Sequence, residues 1–275
     1  MLHIVVFNGG LGNQMFQYAF YLALKQRKPC SFFFFDTTGT RWCHNGFELF
    51  DIFSIKGKLK VKLFNFFHYR MGIKLCGFNH ITQTNALQYQ EDYLVHQGAF
   101  CIYTGYWQSE KYFLPIADIV IKEFTFREDK LNMRSHQLAQ KLKSNSFCSV
   151  HIRRGDYLKE PERGICLHTY YNDAIRYLEQ SEDNIRFCFF SDDIQWCEEH
   201  LVKEEAIYVD WNTGKDAWQD MYLMSICKHN IIANSSFSWW GAWLNRNPDK
   251  IVIAPRQWFH NKENADIIPE LWMKN

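Results

Sequence analysis

Short apolar segments that predict β-strands alternate along this chain with segments that predict helices, and this alternation limits the fold more than any other feature. Residues 2–7 form an apolar run that stops at two glycines, and a helical pattern starts at Asn13. A second apolar run, residues 31–35, follows that helix. Strands that alternate with helices form parallel sheets. The sequence therefore predicts an α/β protein that opens with a Rossmann-like unit.

The alternation returns in the second half of the chain, after a polar helical stretch at residues 128–145. A strand is predicted to run into the charged turn of HIRRGDY, and further predicted strands and helices follow it. The strands are at residues 186–191, 207–209, 230–233 and 251–254, and the helices at 169–180, 217–228 and 238–244. A chain of 275 residues is long enough for two domains. We expect an N-terminal domain at 1–145 and a C-terminal domain at 146–275.

Composition and charge exclude several classes of protein. The net charge is +1, so no broad positive field recruits nucleic acid. The nine cysteines include no C-x-x-C pair, which argues against a zinc or redox site. No apolar stretch approaches the roughly 18 residues of a membrane span, and the N-terminus has no basic signal region. We expect a cytoplasmic protein.

Residues 56–74 differ from the rest of the chain, because lysines alternate with apolar residues in KGKLKVK and aromatic residues follow. One interpretation is a solvated edge strand followed by a variable loop. The other is a surface that lies on anionic lipid headgroups, which would make the protein peripheral at the inner membrane.

The HIRRGDY segment, residues 151–157, places two adjacent arginines directly after a strand. Ligands of parallel α/β sheets bind beyond the carboxyl ends of the strands. An arginine at that edge can bind a phosphate through two hydrogen bonds. A structural ion pair in a surface turn is the alternative.

A serine-rich segment, ANSSFSWWGAWL, precedes and opens a predicted helix. Ser235 and Ser236 stand where the first backbone N–H groups of that helix are free, an arrangement that binds anions. Capping of the helix by a single serine is the simpler interpretation.

The GGLGNQ turn at residues 9–14 resembles a dinucleotide fingerprint but has Met15 where the third glycine would stand. Its glycines allow close approach of a ligand to the backbone. Gly10, Asn13 and Gln14 are predicted to face whatever binds above the sheet. The chain contains neither a D-x-D metal clamp nor a Walker A sequence. These features together predict an enzyme that handles a diphosphate without a metal, with the leaving charge met by Arg153 and helix N–H groups.

Three segments, GGLGNQMFQYAF, HIRRGDY and SSFSWWGAWL, resemble in order and spacing the α-1,2-fucosyltransferases of glycosyltransferase family 11. The resemblance covers nearly the whole chain, and residues 56–90 are the least typical part. It implies a GT-B-like fold of two facing Rossmann-like domains, with GDP-fucose bound mainly to the C-terminal domain and the acceptor on the N-terminal one. It also implies inverting transfer of fucose to a galactose-terminated glycan. GDP-fucose would be a substrate, so neither a cofactor nor a metal is expected.

The resemblance assigns roles to individual residues. Arg153 would stabilise the β-phosphate, and Arg154 would share that role or brace the loop. His151 and Asp156 would line the fucose and nucleotide pocket, and Asn13 would orient the acceptor hydroxyl or the glycosidic oxygen. The remaining donor contacts are expected from Ser235, Ser236 and Phe237 at the phosphates or ribose, and from Asp192, Asp193 and Asp220 at the guanine or ribose.

An inverting transfer also needs a base that accepts the proton of the acceptor hydroxyl. Asp156, Glu160 and His168 are candidates, and Asp156 is favoured. Three other functions compete with fucosyl transfer: transfer of another GDP-sugar, an NAD-dependent oxidoreductase with Asp36 as the ribose-binding acid, and a non-catalytic glycan-binding module built on the tryptophan-rich segment.

Overall fold

The computed structural model describes residues 1–41, 45–72, 75, 77–86, 88–159, 164, 166–259 and 266–275. It divides into two compact units, Met1–Arg127 with Ala265–Ile267 and Glu128–Asn264 with Ile268–Asn275. Each unit contains one sheet in which every paired strand is parallel. The predicted α/β class with parallel sheets is therefore confirmed.

The first unit contains a four-stranded sheet in the order β2-β1-β4-β3. Its strands are β1 (Leu2–Asn8), β2 (Phe32–Gly39), β3 (Asn79–Thr82) and β4 (Phe100–Thr104). Its α-helices are α1 (Leu11–Arg27), α2 (Leu49–Ile52), α3 (Lys58–Asn65), α4 (Asp92–Val95) and α5 (Ala117–Glu123). A π-helical turn, Phe66–Arg70, continues α3, and 3₁₀ turns cover Glu110–Tyr112 and Leu114–Ile116.

The second unit contains a six-stranded sheet in the order β10-β9-β8-β5-β6-β7. Its strands are β5 (Phe147–Ile152), β6 (Arg186–Ser191), β7 (Ile207–Val209), β8 (His229–Ile231), β9 (Val252–Ala254) and β10 (Met273–Lys274). Its α-helices are α6 (Met133–Lys143), α7 (His168–Ser181), α8 (Ile194–His200), α9 (Trp218–Ser225) and α10 (Ser236–Trp243). 3₁₀ turns cover Glu128–Lys130, Tyr157–Lys159 and Gly214–Asp216. No helix of the described residues is long and apolar enough to cross a bilayer.

Within the polar stretch 128–145, Met133–Lys143 forms the predicted helix, α6, which lies in the second unit rather than at the end of the first. It packs against α9. Asn132, whose side chain caps α6, also donates its amide N–H to the Asn212 Oδ1 at 2.8 Å, within the second unit. The division between the units therefore falls at residues 127 and 128, ahead of the boundary predicted at 145. The sequence of a polar helix does not indicate which of the two units the helix packs against.

The lysine-rich stretch near residue 60 is a helix, so the edge strand considered from its alternation is wrong. Phe64 of α3 is buried and packs in a cluster with Ile4 and Ile102 of the sheet. Phe67, in the π-helical turn, stacks on Phe34 of β2 with ring centroids 6.1 Å apart. The spacing of these aromatic anchors favours a helix, and it overrides the shorter alternation of lysines.

The contact between α9 and α10 depends on Gly241. A β-carbon at this position would lie 3.0 Å from the Met224 Cβ, an atom that the α9 backbone holds in place. A glycine in the middle of a helix ordinarily costs roughly 0.5–1 kcal/mol relative to alanine. Here the close approach favours glycine.

We predict that Gly241→Ala lowers the free energy of unfolding by roughly 1–3 kcal/mol, because the added methyl group overpacks the helix contact. Chemical denaturation of the purified variant and the unchanged protein measures the difference. A gain in stability, the usual result of replacing a helical glycine with alanine, would show that the helices have room to separate.

Candidate active site

The carboxyl edge of the second sheet brings together the segments that the sequence singled out. Strand β5 lies between β8 and β6, with Val150 paired to Ile231 and Ile152 paired to Ser191. The chain therefore leaves β5, β6 and β8 at the same edge. The HIRRGDY turn, the Asp192–Asp193 pair and the serine-rich segment follow these three strands, as the sequence predicts.

Arg153 follows β5 and is held by two carboxylates. Its Nε lies 2.8 Å from the Asp156 Oδ1, and its Nη1 lies 3.1 Å from the Asp192 Oδ2. The side chain is 27% exposed. Because a guanidinium carries five N–H donors, these two contacts orient the arginine and leave donors for a further anion.

Arg154 has a different environment from that of its neighbour. Its Nε lies 3.0 Å from the Asp193 Oδ2, and its guanidinium lies over the Trp196 ring at 4.2 Å. The backbone N–H of Arg154 donates to the Asp192 Oδ1 at 2.9 Å. Of the two roles considered for Arg154, the structure favours bracing of the loop.

Asp192 and Asp193 use their four carboxylate oxygens within the protein. Asp192 binds both arginines through its two oxygens. Asp193 pairs with Arg154 and also caps α8, where it accepts from the Trp196 N–H at 3.2 Å. These contacts join the loops that follow β5 and β6, and the contact of the pair with guanine or ribose stays a prediction.

His151 is the last buried polar residue before the arginine turn, and it is 6% exposed. Burial, with the positive charge of Arg153 as a second cause, lowers the pKa of His151 to about 3. The imidazole is therefore neutral near pH 7. Its Nδ1 is buried without a hydrogen-bond partner among the described residues, and its ring lies 5.8 Å from that of Phe237.

The serine-rich segment forms the N-terminus of α10. The Ser235 hydroxyl accepts from the Phe237 N–H at 3.3 Å, and the Ser238 hydroxyl donates back to the Ser235 carbonyl at the same distance. Capping by one serine is therefore present. Ser236 and Phe237 are only half-buried. The first turn of α10 thus presents N–H groups and one hydroxyl beside His151.

Two residues that sequence reasoning did not assign tie these loops together. The Tyr157 hydroxyl donates to the Asn234 carbonyl at 3.0 Å, which joins the turn after β5 to the segment after β8. The Asn234 amide donates to the Gly164 and Trp258 carbonyls. Both residues stand inside the two motifs, which is the only sequence signal of their role.

Asp220 makes no ion pair or hydrogen bond with the arginine cluster in the described structure. It lies in the first turn of α9, where its Oδ1 accepts from the Asn212 amide at 2.7 Å. Asn212 in turn accepts from Asn132 and Ser135. Burial raises the pKa of Asp220 to about 8, although the hydrogen bond from Asn212 opposes the shift.

The other candidates for a base have distinct surroundings. Asp156 is engaged by Arg153, so it can take a proton only as that ion pair loosens. His168 is exposed at the first residue of α7. Glu160 lies outside the described residues.

In the first unit, the turn after β1 carries Gly10 and Asn13 at the carboxyl edge of its own sheet. Gly9 has a φ of +77°, and a β-carbon there would lie 2.5 Å from the Asn13 Nδ2. Gly10 is half-buried with an extended backbone at the start of α1. The Asn13 Oδ1 accepts from the Gln108 amide at 2.8 Å, so Asn13 is oriented by a residue that the sequence did not single out.

Gln14 does not face outward as the sequence predicted. It is fully buried, its amide donates to the Gly9 and Gly46 carbonyls, and its oxygen accepts from the Glu48 N–H. Its side chain thus fastens the segment near residue 46 to the glycine turn. The helical period explains the error, because a residue next to Asn13 in a helix points in a different direction.

Trp107, the residue before Gln108, has a backbone conformation that is rare for a large side chain. Trp107 has a φ of +55°, is completely buried and stacks on Phe20 with ring centroids 4.0 Å apart. The N–H groups of Tyr106 and Trp107 both donate to the Gln83 Oε1 at 2.9 Å. Such strain persists only where the surroundings enforce it, and it is frequent at functional sites.

Comparison with known proteins gives the family and the fold. The model of glycosyl transferase family 11 matches residues 1–274. An alpha-1,2-colitosyltransferase of Escherichia coli is 35% identical over 97% of this chain and 96% of its own length. A galactoside alpha-(1,2)-fucosyltransferase 1 of Leontopithecus chrysomelas is 25% identical over 60% of this chain and 48% of its own length.

Among solved structures, the chain resembles the NodZ alpha-1,6-fucosyltransferase soaked with GDP-fucose. The TM-score is 0.54 at 15% identity, over 88% of this chain and 92% of the other. At this identity the likeness concerns the fold, and it confirms the two-domain GT-B α/β architecture.

We predict that Asp220→Asn removes part of the pH dependence of stability. Because the folded-state pKa of about 8 exceeds the ordinary value, the folded protein binds a proton that the unfolded chain releases. This contribution stabilises the fold at low pH and is lost as the pH rises from about 4 to about 8. Asparagine keeps the acceptor for Asn212 without a charge. Denaturation at about pH 5 and about pH 8 should show the variant gaining stability relative to the unchanged protein as pH rises.

Asp210→Asn is the matched control, since the Asp210 carboxylate is exposed beside Arg134. Its effect should not change systematically over the same interval. An equal trend in both variants would mean that burial of Asp220 is not the cause.

Proposed function

The chain belongs to glycosyltransferase family 11, and we propose that it transfers L-fucose from GDP-β-L-fucose to the 2-hydroxyl of a terminal β-galactoside. The reaction would invert the anomeric configuration and need no metal. The observation that carries this proposal is Arg153, which two carboxylates orient at the same carboxyl edge of the sheet from which α10 starts. We choose fucose as the transferred sugar because relatives such as the galactoside alpha-(1,2)-fucosyltransferase 1 are fucosyltransferases.

In this proposal, Arg153 and the first turn of α10 bind the diphosphate. Two of the N–H donors of Arg153 face Asp156 and Asp192, and the remaining donors bind the β-phosphate oxygens. The free N–H groups of α10 and the Ser236 hydroxyl add donors that act at the same edge. When the bond between C1 of fucose and the β-phosphate oxygen breaks, these groups stabilise the negative charge that develops on GDP.

The guanine is assigned to Asp220, because a carboxylate can accept from both N1–H and N2–H of the base. The Asn212 amide already fixes one oxygen of Asp220. Since burial raises the pKa of this carboxyl, binding of two N–H donors would favour its charged form.

The fucose is assigned to the space beside His151 and Asp156. The buried, neutral imidazole offers a Nδ1 that no described residue satisfies, and a sugar hydroxyl would satisfy it. The acceptor hydroxyl attacks C1 from the face opposite the leaving phosphate, and Asn13 and Gly10 remain the predicted acceptor contacts of the first unit. Its proton passes to Asp156 as Arg153 shifts toward the phosphate. A hydroxyl that loses its proton late needs only a weak base.

Transfer of colitose is the second candidate, because the alpha-1,2-colitosyltransferase is 35% identical over nearly the full length. Colitose is L-fucose without the 3-hydroxyl. A site built to hydrogen-bond that hydroxyl rejects the deoxy sugar strongly, by roughly 10⁴ or more, because its buried polar group stays unpaired. The ratio of the transfer rates with GDP-fucose and GDP-colitose therefore distinguishes the two candidate functions.

We predict that Arg153→Ala lowers the transfer rate by about 10² or more while the fold survives, which is the effect of losing one preorganised donor to a developing charge. Arg176→Ala is the matched control, since Arg176 makes only an exposed pair with Asp173. Initial rates with saturating donor measure the loss. Equal rates for the two variants would remove Arg153 from the phosphate site.

The function itself is tested with purified protein, lactose and either GDP-fucose or GDP-colitose, in the presence of EDTA. We expect lactose fucosylated at the galactose 2-hydroxyl, with little loss of rate on addition of EDTA, and product mass and linkage analysis to identify it. Transfer of colitose alone would favour the second candidate. A large loss with EDTA would contradict the metal-free phosphate site, and failure to bind GDP would contradict the site as a whole.

A further inference from the structure

The segment between Asp51 and Glu91 contains six lysines and arginines and no aspartate or glutamate. Of the 31 basic and 30 acidic residues of the whole chain, the remainder holds 25 basic and all 30 acidic ones, so the chain outside this segment has an acidic excess. Helix α3 and the π-helical turn after it lie inside this segment. The positive charge of the first unit is therefore concentrated where these two elements cover the sheet.

The outer side of these two elements exposes large apolar side chains. Leu59, Phe66, Tyr69 and Met71 are 65%, 46%, 53% and 58% exposed. Their inner side is anchored through Phe64, which is buried against the sheet. The exposed apolar groups are therefore not remnants of a loose loop, because the helix that carries them is fixed in place. Scattered exposed apolar residues are ordinary, but several on one element mark a contact surface.

Lysines and an arginine lie among these apolar groups. Lys56, Lys58, Lys62 and Arg70 are exposed, and the only ion pair of Lys58 in the described structure is a contact of 3.9 Å with the exposed Asp51. Such a pair holds its partners weakly. Lys60 is different, because its Nζ points inward over the Tyr21 and Phe35 rings.

The apolar surface continues toward the amino edge of the first sheet. Phe67 stacks on Phe34, in the first half of β2, so the π-helical turn lies toward that edge. Phe32 and Phe100, which start β2 and β4 and both pair with Leu2, are 74% and 50% exposed. The Gly10–Asn13 turn lies at the opposite, carboxyl edge. A partner bound at the amino edge would therefore leave that turn accessible.

We propose that α3 and the following turn bind the surface of an anionic lipid bilayer, with Leu59, Phe66, Tyr69 and Met71 inserted at the headgroup level and Lys56, Lys58, Lys62 and Arg70 facing the lipid phosphates. We call these eight residues the basic–aromatic surface. Interfacial helices combine an apolar face with lysine and arginine in this way. The absence of acidic residues from the segment favours a negatively charged partner, and aromatic residues such as Tyr69 prefer the interface.

The test is co-sedimentation of the full chain with phosphatidylcholine vesicles, with and without phosphatidylglycerol. We expect binding to the anionic vesicles that weakens as salt is added. The combined variant Lys56→Gln, Lys58→Gln and Lys62→Gln should bind about 10²-fold more weakly, since each basic residue near the surface contributes about a factor of five. Replacement of the same three lysines by arginine should retain binding.

The matched control changes Lys122, Lys215 and Lys274 to glutamine, because these lysines are exposed elsewhere and the net charge falls equally. Its binding should remain within about twofold of the unchanged protein. A second variant, Leu59→Gln with Phe66→Gln, should also lose binding without loss of charge. Circular dichroism checks that each variant is folded.

Three results would overturn the proposal. The first is that the unchanged protein does not bind anionic vesicles, and the second is that the control variant loses as much vesicle binding as the triple glutamine variant. The third is that the unchanged protein is a dimer in gel filtration and the Leu59→Gln, Phe66→Gln variant is a monomer. The last result would assign the basic–aromatic surface to contact between copies of the chain.

Discussion

The carboxylate of Asp192 sets the geometry on which the arginine site depends. One oxygen accepts from the backbone N–H of Arg154 and the other pairs with the side chain of Arg153. Both arginines follow β5, while Asp192 follows β6, so these contacts depend on the parallel pairing of Ile152 with Ser191. A shift of one residue in this register would turn the side chains of one strand to the opposite face of the sheet. The core of the second unit thus determines where the N–H donors of Arg153, which we propose bind the phosphate, point.

Charge alone does not make this cluster a site for a diphosphate. Two arginines face three carboxylates, Asp156, Asp192 and Asp193, and the imidazole of His151 is neutral because burial lowers its pKa to about 3. In the proposed site, the attraction for a diphosphate would therefore come from directed N–H groups, those of Arg153 and of the first turn of α10, rather than from a broad positive field. Directed donors also favour the geometry of the breaking bond over that of the bound substrate, which is the condition for catalysis.

The sequence predicted the parts of this arrangement that depend on local pattern. Strands β5 to β9 of the second unit, the arginines at the end of β5 and the start of α10 near Ser236 lie where apolar runs and motifs indicate, whereas the two-residue strand β10 was not among the predicted strands. The errors concern tertiary contacts. The Gln14 side chain is buried because its amide donates to the carbonyls of Gly9 and Gly46. Helix α6 packs on α9, although its polar sequence does not indicate that contact. Likewise, no local pattern shows that Gln108, 95 residues away, orients Asn13.

In the proposed site, the groups that would bind phosphate differ from the groups that would hydrogen-bond the sugar hydroxyls. Arg153 is held by carboxylates on two loops, whereas His151 is held by burial and by contact with Phe237, and its Nδ1 is unused within the described residues. Changes around His151 can therefore alter which sugar hydroxyls are satisfied without moving Arg153. In the proposed site, this separation would allow the sugar to differ between colitosyl- and fucosyl-transferring relatives while the phosphate contacts stay the same. Donor choice would then depend on a few hydrogen bonds beside His151, and the rate of bond breaking on Arg153 and α10.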